Sequence, residues 1–233
     1  MTDLLFPAAP VPTLGLVGES ARMPINRIFC IGRNYVAHAA EMGNTIDRDD
    51  PFFFTKSHGA VALSGSDIAY PPGTQDYHHE VELAVALGSG GRDIAVADAD
   101  AYVLGYALSL DMTRRDLQAK AKSKGRPWSA AKDVEHSAVL TDLARAEAFQ
   151  PGDQEITLTV NGAVTQAGKL SEMVWSVSEL IAFLSTLYTL QPGDLILTGT
   201  PSGVGPVQIG DQLVGTVPGL PTLTCTITPP VTG

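Results

Sequence analysis

The chain has 233 residues, of which 44% are hydrophobic and 17% charged, a composition typical of a globular domain with a substantial core. Its formal net charge of −10 argues against nucleic acid as a partner, and no basic run opposes this. The N-terminus lacks the features of a signal peptide, and no apolar stretch approaches the roughly 20 residues that span a bilayer, so we expect a cytoplasmic protein without a membrane partner.

The first third of the chain alternates strand-like runs with turns. Residues 1–24 are rich in proline and small apolar residues and are predicted to form an N-terminal arm, with one domain over 25–233. A strand is expected at 25–31, followed by a short helix that begins at an N-cap Asn34 and stops at Gly43. Another strand is expected at 52–55. A Pro-Pro-Gly turn at 71–73 then precedes an acidic strand that starts at His79.

The rest of the chain also favours strands over helices. An apolar strand is predicted at 102–110, and a polar helix over 115–124 ends at a glycine. Amphipathic spacing predicts a helix at 177–187, capped by Ser176 or Ser178. Three Gly-Asp turns, at 152–153, 193–194 and 210–211, each precede a strand-like run. With no regular alternation of strand and helix, the pattern indicates a β-rich α+β fold. The two cysteines, Cys30 and Cys225, lie in separate apolar segments, so we expect free buried thiols.

The acidic strand carries the strongest chemical signal. Glu80 and Glu82 lie two residues apart, so a strand projects both carboxylates from one face while Val81 and Leu83 face the core. Their repulsion is relieved by a shared proton, a basic partner or a bound cation. Ligands that are all oxygen favour Mg²⁺ or Mn²⁺. We interpret the pair as half of a metal site; the alternative is a salt-bridged pair on the surface.

Further polar residues lie at the ends of predicted elements. Asp111 follows a buried strand and can reach a site at the sheet edge, or can instead cap the next helix. His38 and Glu41 are three residues apart on one helix face, where together they can act as a general base on water; an exposed polar face is the alternative. Lys132 is a lone cation after small apolar residues, and most lysines are solvated. His78 and His79 are given no role.

The glycine-rich loop at 199–205 follows the apolar run 195–197. It lacks the Gly-Lys-Ser/Thr ending of a phosphate-binding loop. Its backbone amides and Thr200 can nevertheless hold a carboxylate. A plain turn between two strands is the equally simple alternative.

Taken in chain order, these segments resemble the fumarylacetoacetate hydrolase family. The resemblance covers about residues 25–225, nearly the whole chain, and is greatest to the short, single-domain acylpyruvases of that family. It rests on Gly32-Arg33-Asn34-Tyr35 with His38 and Glu41, His79-Glu80-Val81-Glu82, Asp111-Met112-Thr113, Thr113-Arg114-Arg115-Asp116-Leu117-Gln118, Gly125-Arg126-Pro127-Trp128, Lys132, and Thr198-Gly199-Thr200-Pro201.

The resemblance implies a mixed β-sandwich or β-roll, a homodimer, and one Mg²⁺ or Mn²⁺ per subunit held by Glu80, Glu82 and Asp111. It also implies that His38 and Glu41 lie on a lid helix and act in catalysis together with Lys132. Substrate-binding residues implied in the same way are Arg33, Tyr35, Lys56, Arg115, Gln118 and Thr200. In one departure, Lys56 is followed by Ser57-His58 where members commonly have proline, so we expect a different turn beside the substrate tail.

The implied activity is hydrolysis of the C3–C4 bond of a 2,4-dioxo acid, an acylpyruvate and most of all fumarylpyruvate, to pyruvate and a carboxylic acid. Decarboxylation of oxaloacetate, or isomerisation or hydration of 2-oxo acids, is the alternative on the same site. A metal-binding homodimer without activity is the alternative from another class. Decarboxylation needs no attacking water, so the pair His38 and Glu41 favours hydrolysis.

Overall fold

The computed structural model describes residues 4–41, 48 and 50–231. Within these residues the helices are α1 (Val36–Glu41), α2 (Arg115–Ser123), α3 (Ser129–Lys132) and α4 (Val177–Leu187). The strands are β1 (Thr13–Gly15), β2 (Arg22–Pro24), β3 (Ile28–Gly32), β4 (Phe52–Lys56), β5 (Val61–Leu63), β6 (Asp67–Ala69), β7 (Tyr77–His79), β8 (Val81–Leu87), β9 (Val103–Asp111), β10 (Thr113–Arg114), β11 (Ala138–Leu140), β12 (Ala144–Arg145), β13 (Glu155–Val160), β14 (Ala163–Lys169), β15 (Leu195–Leu197), β16 (Gly205–Pro206), β17 (Gln212–Thr216) and β18 (Leu223–Thr228). No helix in the described part of the chain is long and apolar enough to cross a membrane.

Two sheets dominate the fold. The larger has the strand order β4-β3-β15-β8-β9-β11-β5, with β12 also paired to β9, and the other has the order β14-β13-β17-β18-β6. The larger sheet is mixed, because β15 runs parallel to β3 but antiparallel to β8. Small sheets of order β10-β7-β16 and β1-β2 complete the architecture. The β-rich α+β class that the sequence predicts is confirmed.

Strand β8 is buried on both faces, which accounts for its apolar sequence apart from Glu82. Its odd-numbered residues, 81–87, face the main core, to which β13, β17, β18 and α4 also contribute. Ala84 and Ala86 face a second core cluster, which includes residues of β1, β3 and β15. The predicted alternation is therefore present, with Glu82 on the same face as the two alanines.

The N-terminal ribbon β1-β2 packs on the second cluster through Leu14, Leu16 and Met23. The described residues that precede the ribbon do not all pack on the core, because Leu5 and Phe6 are largely exposed. The boundary between an arm and a domain at residues 24 and 25 stays a prediction.

Most of the predicted elements are present. Helix α4 has the predicted bounds, and its cap is Ser176, which accepts from the Glu179 N–H while the Glu179 carboxylate accepts from the Ser176 N–H. The three Gly-Asp turns precede β13, β15 and β17 as expected, and Cys30 and Cys225 are buried free thiols.

The prediction that Asn34 caps a helix is wrong. Helix α1 begins at Val36, and the buried Asn34 amide instead joins two distant segments. It donates to the carbonyls of Thr198 (2.8 Å) and Trp175 (3.0 Å) and accepts from the Trp175 N–H (2.7 Å). The predicted stop at Gly43 lies outside the described residues.

Candidate active site

Three buried carboxylates meet where the strands β8 and β9 pair. Glu80 lies between β7 and β8, Glu82 on β8, and Asp111 at the end of β9, where its N–H donates to the Glu80 carbonyl (2.8 Å). One oxygen from each carboxylate lies within 4.8 Å of the others, and none of the three residues is more than 5% exposed. The alternatives of a surface pair and of a helix cap are therefore excluded. The sequence predicts one acidic strand that starts at His79. In the structure Glu80 instead links two strands, β7 and β8, which belong to different sheets.

Three buried cations surround two of these carboxylates. Lys132, the last residue of α3, donates from Nζ to Glu80 Oε2 and Asp111 Oδ2, each at 2.7 Å. Arg115 bonds the other oxygen of Glu80 at 2.5 Å, and Lys56 Nζ lies 2.9 Å from Asp111 Oδ1. Burial opposes ionisation of Glu80, but Lys132 and Arg115 outweigh it and lower the pKa of this carboxyl below its ordinary value. Lys132 is thus buried rather than solvated.

Glu82 has a different environment from its two neighbours. Its Oε2 accepts from the Gly199 N–H (2.8 Å), and within the described residues no cationic side chain forms an ion pair with it. Burial, reinforced by the charges of Asp111 and Glu80, raises the pKa of Glu82 well above its ordinary value. A divalent cation fits this site, since it would replace carboxylate repulsion by attraction and find only oxygen ligands.

The backbone at Gly199 makes this hydrogen bond to Glu82 possible. Gly199 follows β15 in the left-handed conformation, with φ at +95°, and a Cβ there would lie 2.8 Å from the Cβ of Asn34. Only glycine combines that conformation with so close an approach. The same loop continues to Thr200 and Gly203, both of which contact other parts of the site.

His38 and Glu41 lie together on α1, as the spacing predicts. His38 Nδ1 is 3.4 Å from Glu41 Oε2, and the Gly203 N–H donates to both oxygens of Glu41, at 3.1 and 3.2 Å. His38 is only 8% exposed, and burial lowers the pKa of its imidazole below the ordinary value. Glu41 therefore orients a neutral imidazole, and the other nitrogen of His38, Nε2, is available to a ligand in the cavity.

One cavity brings together nine of the twelve residues that the sequence analysis assigned to the site. These are Arg33, His38, Glu80, Glu82, Asp111, Arg115, Gln118, Lys132 and Thr200. The other three, Glu41, Tyr35 and Lys56, do not line it. Tyr35 is fully buried, and Lys56 bonds Ser137 (2.7 Å) and the Lys132 carbonyl. Contact of Tyr35 and Lys56 with a substrate stays a prediction.

Helix α2 presents an amide to this cavity. Arg115 and Gln118 are three residues apart on the helix, and Arg115 Nη1 donates to Gln118 Oε1 at 2.7 Å. Because the amide oxygen is taken, the NH₂ group of Gln118 remains for an acceptor in the cavity. Arg115 thus fixes both a carboxylate and an amide of the site.

The sequence analysis missed an aromatic wall of the cavity. Phe54 and Trp128 line the cavity and their rings lie 6.0 Å apart, while Lys132 Nζ is 4.9 Å from the centre of the Phe54 ring. Phe52, on the same face of β4, packs against Trp128 and lies beneath the Arg33 guanidinium. The alternation Phe52, Phe54 was a signal for this wall, but nothing local placed Trp128 against it.

The comparisons with known proteins agree with this geometry. The family model described as fumarylacetoacetate (FAA) hydrolase C-terminal matches residues 27–228. The chain belongs to the fumarylacetoacetate hydrolase family. This confirms the resemblance drawn from the sequence.

Members of the family with different activities are similar to this chain. Fumarylpyruvate hydrolase from a Ralstonia species is 44% identical over 190 residues, which cover 81% of this chain and 99% of that protein. A mitochondrial oxaloacetate tautomerase from Arabidopsis thaliana is 42% identical over 195 residues, covering 83% of this chain and 87% of that one. Among solved structures, fumarylpyruvate hydrolase from Pseudomonas aeruginosa in complex with Mn²⁺ and pyruvate has a TM-score of 0.93 at 40% identity, covering 97% of this chain and all of the other.

Proposed function

We propose that this protein is a metal-dependent hydrolase that cleaves the C3–C4 bond of a 2,4-dioxo acid, with fumarylpyruvate as the favoured substrate. The products are then pyruvate and fumarate. The observation that carries this proposal is the contact between His38 and Glu41 at the edge of a cavity that also holds three carboxylates and Lys132. Similarity to fumarylpyruvate hydrolases over nearly their whole length supports the choice of substrate.

Glu80, Glu82 and Asp111 would hold Mg²⁺ or Mn²⁺ in this enzyme. When bound, the ion supplies a Lewis acid for the carboxylate and 2-oxo oxygens of the substrate and for the negative charge that develops there. The P. aeruginosa relative was solved with Mn²⁺ and pyruvate, which supports both the metal and the three-carbon product.

The charges around the cavity favour an anionic substrate. The three carboxylates are balanced by Lys56, Arg115 and Lys132, so a divalent ion would leave the site with two positive charges in excess. This local field opposes the net charge of −10 carried by the whole chain. Arg33 and Lys122 also line the cavity, so the positive field favours a dianionic dioxo acid.

In the proposed reaction His38 is the base. Glu41 accepts a hydrogen bond from the Nδ1–H of His38, so the free Nε2 takes a proton from water as the water oxygen bonds to C4. The C3–C4 bond then breaks, and its electron pair is delocalised from C3 onto the 2-oxo oxygen as the enolate of pyruvate. Lys132 lines the cavity beside Glu80 and Asp111, and its positive charge would stabilise the enolate oxygen. The imidazolium returns its proton to C3, which yields pyruvate and a carboxylic acid from substrate and water.

The decisive experiment is a steady-state assay of fumarylpyruvate with Mg²⁺ or Mn²⁺, with acetylpyruvate and oxaloacetate in parallel. We expect loss of the dioxo-acid absorbance, equal amounts of pyruvate and fumarate, and inhibition by EDTA. Conversion of oxaloacetate without loss of fumarylpyruvate would overturn the proposal.

Tautomerisation of oxaloacetate is the second candidate, because a tautomerase is 42% identical to this chain and the same base and cation can move a proton. Incorporation of ¹⁸O from labelled water into the carboxylic acid product separates the two candidates, since only hydrolysis forms that bond.

On the family resemblance alone, we also propose that the enzyme is a cytoplasmic homodimer that acts in the breakdown of aromatic compounds. Light scattering after size exclusion tests the oligomeric state, for which a monomer would contradict the proposal.

A further inference from the structure

A buried glutamine from the second sheet contacts the loop that lines the cavity. Gln166 lies on β14 and is only 1% exposed, although its neighbours in that strand are mostly exposed or half-buried. Its side chain reaches Thr200 and Pro201 in the loop after β15, and also His79 and Val81 on either side of Glu80. Neither the sequence motifs nor the reaction derived above assigns a role to this residue.

Two backbone groups fix the orientation of the Gln166 amide. Oε1 accepts from the Val81 N–H (3.1 Å), which can only donate, and Nε2 donates to the Pro201 carbonyl (3.0 Å), which can only accept. The remaining capacity of the amide is also filled, because Oε1 contacts His79 Nδ1 at 2.8 Å and Nε2 contacts Thr200 Oγ1 at 2.7 Å. Exchange of oxygen and nitrogen would place donor against donor and acceptor against acceptor.

This orientation determines what the Thr200 hydroxyl can do. A hydroxyl has one proton and two acceptor lone pairs, and the Gln166 N–H occupies one of those lone pairs. The Thr200 proton therefore points away from Gln166. In the described part of the chain no acceptor for it lies within hydrogen-bond distance, while Thr200 itself borders the cavity beside His38 and Gln118.

We infer that Gln166 is a positioning residue, which holds the Thr200 hydroxyl as a hydrogen-bond donor to the carboxylate of the 2-oxo acid. The inference rests on the proposed function, since it assumes that such an acid occupies the cavity. Gln166 acts only through Thr200 and touches neither the substrate nor the reacting atoms. The Gln166 amide, which belongs to the five-stranded sheet, thus determines that the Thr200 hydroxyl donates rather than accepts a hydrogen bond in the cavity.

A double-mutant cycle tests this inference. Thr200→Val removes the hydroxyl with little change of shape, Thr200→Ser keeps it as the matched control, and Gln166→Met removes the amide at similar length. The first readout is the affinity of the Mn²⁺-loaded protein for oxalate, a planar dicarboxylate, by calorimetry, which needs no turnover. The second is the separation of KM from kcat for the dioxo acid.

Thr200→Val is expected to weaken oxalate binding about 10- to 100-fold, the usual effect of losing a hydrogen bond to a charged group. Gln166→Met is expected to weaken it by about 5-fold or more, but by less than about 2-fold in the Thr200→Val background. KM should rise with little change in kcat, because the contact lies at the carboxylate and not at C4. Thr200→Ser should bind oxalate nearly as well as the parent chain.

Equal losses from Gln166→Met in both backgrounds, or a loss of Mn²⁺ affinity, would overturn the inference, since Gln166 would then act by supporting Glu80. If the Met variant does not fold, Gln166→Glu replaces it in the test. The second carboxylate oxygen of that variant would accept a hydrogen bond from the Thr200 hydroxyl, whose proton would then point away from the cavity. That variant should lose as much affinity as Thr200→Val, and intact oxalate binding would overturn the inference. A parent chain that does not hydrolyse fumarylpyruvate would overturn the proposed function, whereas one that hydrolyses it but fails to bind oxalate with Mn²⁺ would overturn the inference alone.

Discussion

Lys132 Nζ lies 2.7 Å from Glu80 Oε2, and both side chains are almost completely buried. The same ammonium group lies 2.7 Å from Asp111, so one cation holds two carboxylates that would otherwise repel each other. The attraction of these carboxylates raises the pKa of Lys132 despite its burial, so the lysine stays charged. Lys132 therefore cannot act as a proton donor of moderate strength near neutral pH, and its contribution to the reaction is its positive charge.

Lys132→Met should abolish turnover but leave Mn²⁺ bound. Without the metal, two buried carboxylates lose their shared cation, and the free energy of unfolding should fall by about 3–5 kcal/mol. Mn²⁺ should restore much of that stability, because it supplies the missing positive charge. Denaturant unfolding with and without Mn²⁺ measures this, with the exposed Lys120→Met on α2 as the control. Turnover within tenfold of the parent rate would contradict the role of Lys132.

Glu82→Gln should remove the metal site without loss of the fold. Because the pKa of Glu82 is raised by burial and by its carboxylate neighbours, the neutral form of this side chain is favoured in the metal-free protein. Glutamine imitates that neutral form, so the melting temperature of the metal-free protein should be unchanged or higher. Mn²⁺ affinity by calorimetry should fall by at least about 100-fold. Unchanged Mn²⁺ or Mg²⁺ affinity would show that the site lies elsewhere.

Metal binding should release a proton from Glu82. Below its raised pKa the side chain is protonated, and a metal ligand must be ionised, so Mn²⁺ affinity should increase with pH until the raised pKa is reached. Calorimetry in two buffers of different ionisation enthalpy counts the protons released. The released proton should disappear in Glu82→Gln; its persistence there would assign the titration to another group.

His38→Ala should lower kcat by about 10² to 10⁴, the usual contribution of a positioned base, with Mn²⁺ affinity intact. The reaction needs the neutral imidazole, and burial lowers the pKa of His38, so the acid limb of kcat should have its midpoint below pH 6.5, the ordinary pKa of histidine. This acid limb should be absent from the His38→Ala profile. Full activity of the variant, or an acid limb with its midpoint above pH 6.5, would contradict the base assignment.

Periodicity and short-range signals accounted for much of the fold. The alternation in β8 predicted which side chains face the main core, and amphipathic spacing with a capping serine marked the start of α4. Both signals depend on residues that are close in sequence. Asn34 had an equally good local signal as a helix cap, but its buried amide satisfies backbone groups of Trp175 and Thr198, which are more than 140 residues away.

The limits of sequence reasoning at the site have the same cause. Carboxylate spacing and the family resemblance named the residues that meet in the cavity, whereas the ion pair between Lys56 and Asp111 depends on how the fold brings the end of β4 to the end of β9. Gln166 had no signal at all, since it is one of three polar residues in its strand, with Thr165 and Lys169. Its importance arises only because the two sheets bring β14 against the loop after β15.

The close approach of Gly199 to Asn34 gives a prediction with a matched control. Gly199 and Gly210 have almost the same left-handed conformation, with φ at +95° and +97°, but only a Cβ at Gly199 would meet other atoms, at 2.8 Å from Asn34 Cβ. Gly210→Ala therefore measures the backbone strain alone, about 1–2 kcal/mol in the free energy of unfolding. Gly199→Ala should cost more, because the loop must also shift.

That shift would move the Gly199 N–H away from Glu82, which it holds at 2.8 Å. Gly199→Ala should therefore weaken Mn²⁺ binding by about tenfold or more, whereas Gly210→Ala should leave it unchanged. Urea unfolding and Mn²⁺ calorimetry on the two variants separate strain from displacement. Equal stability losses with unaltered metal affinity in both would mean that the loop after β15 does not position the metal ligand.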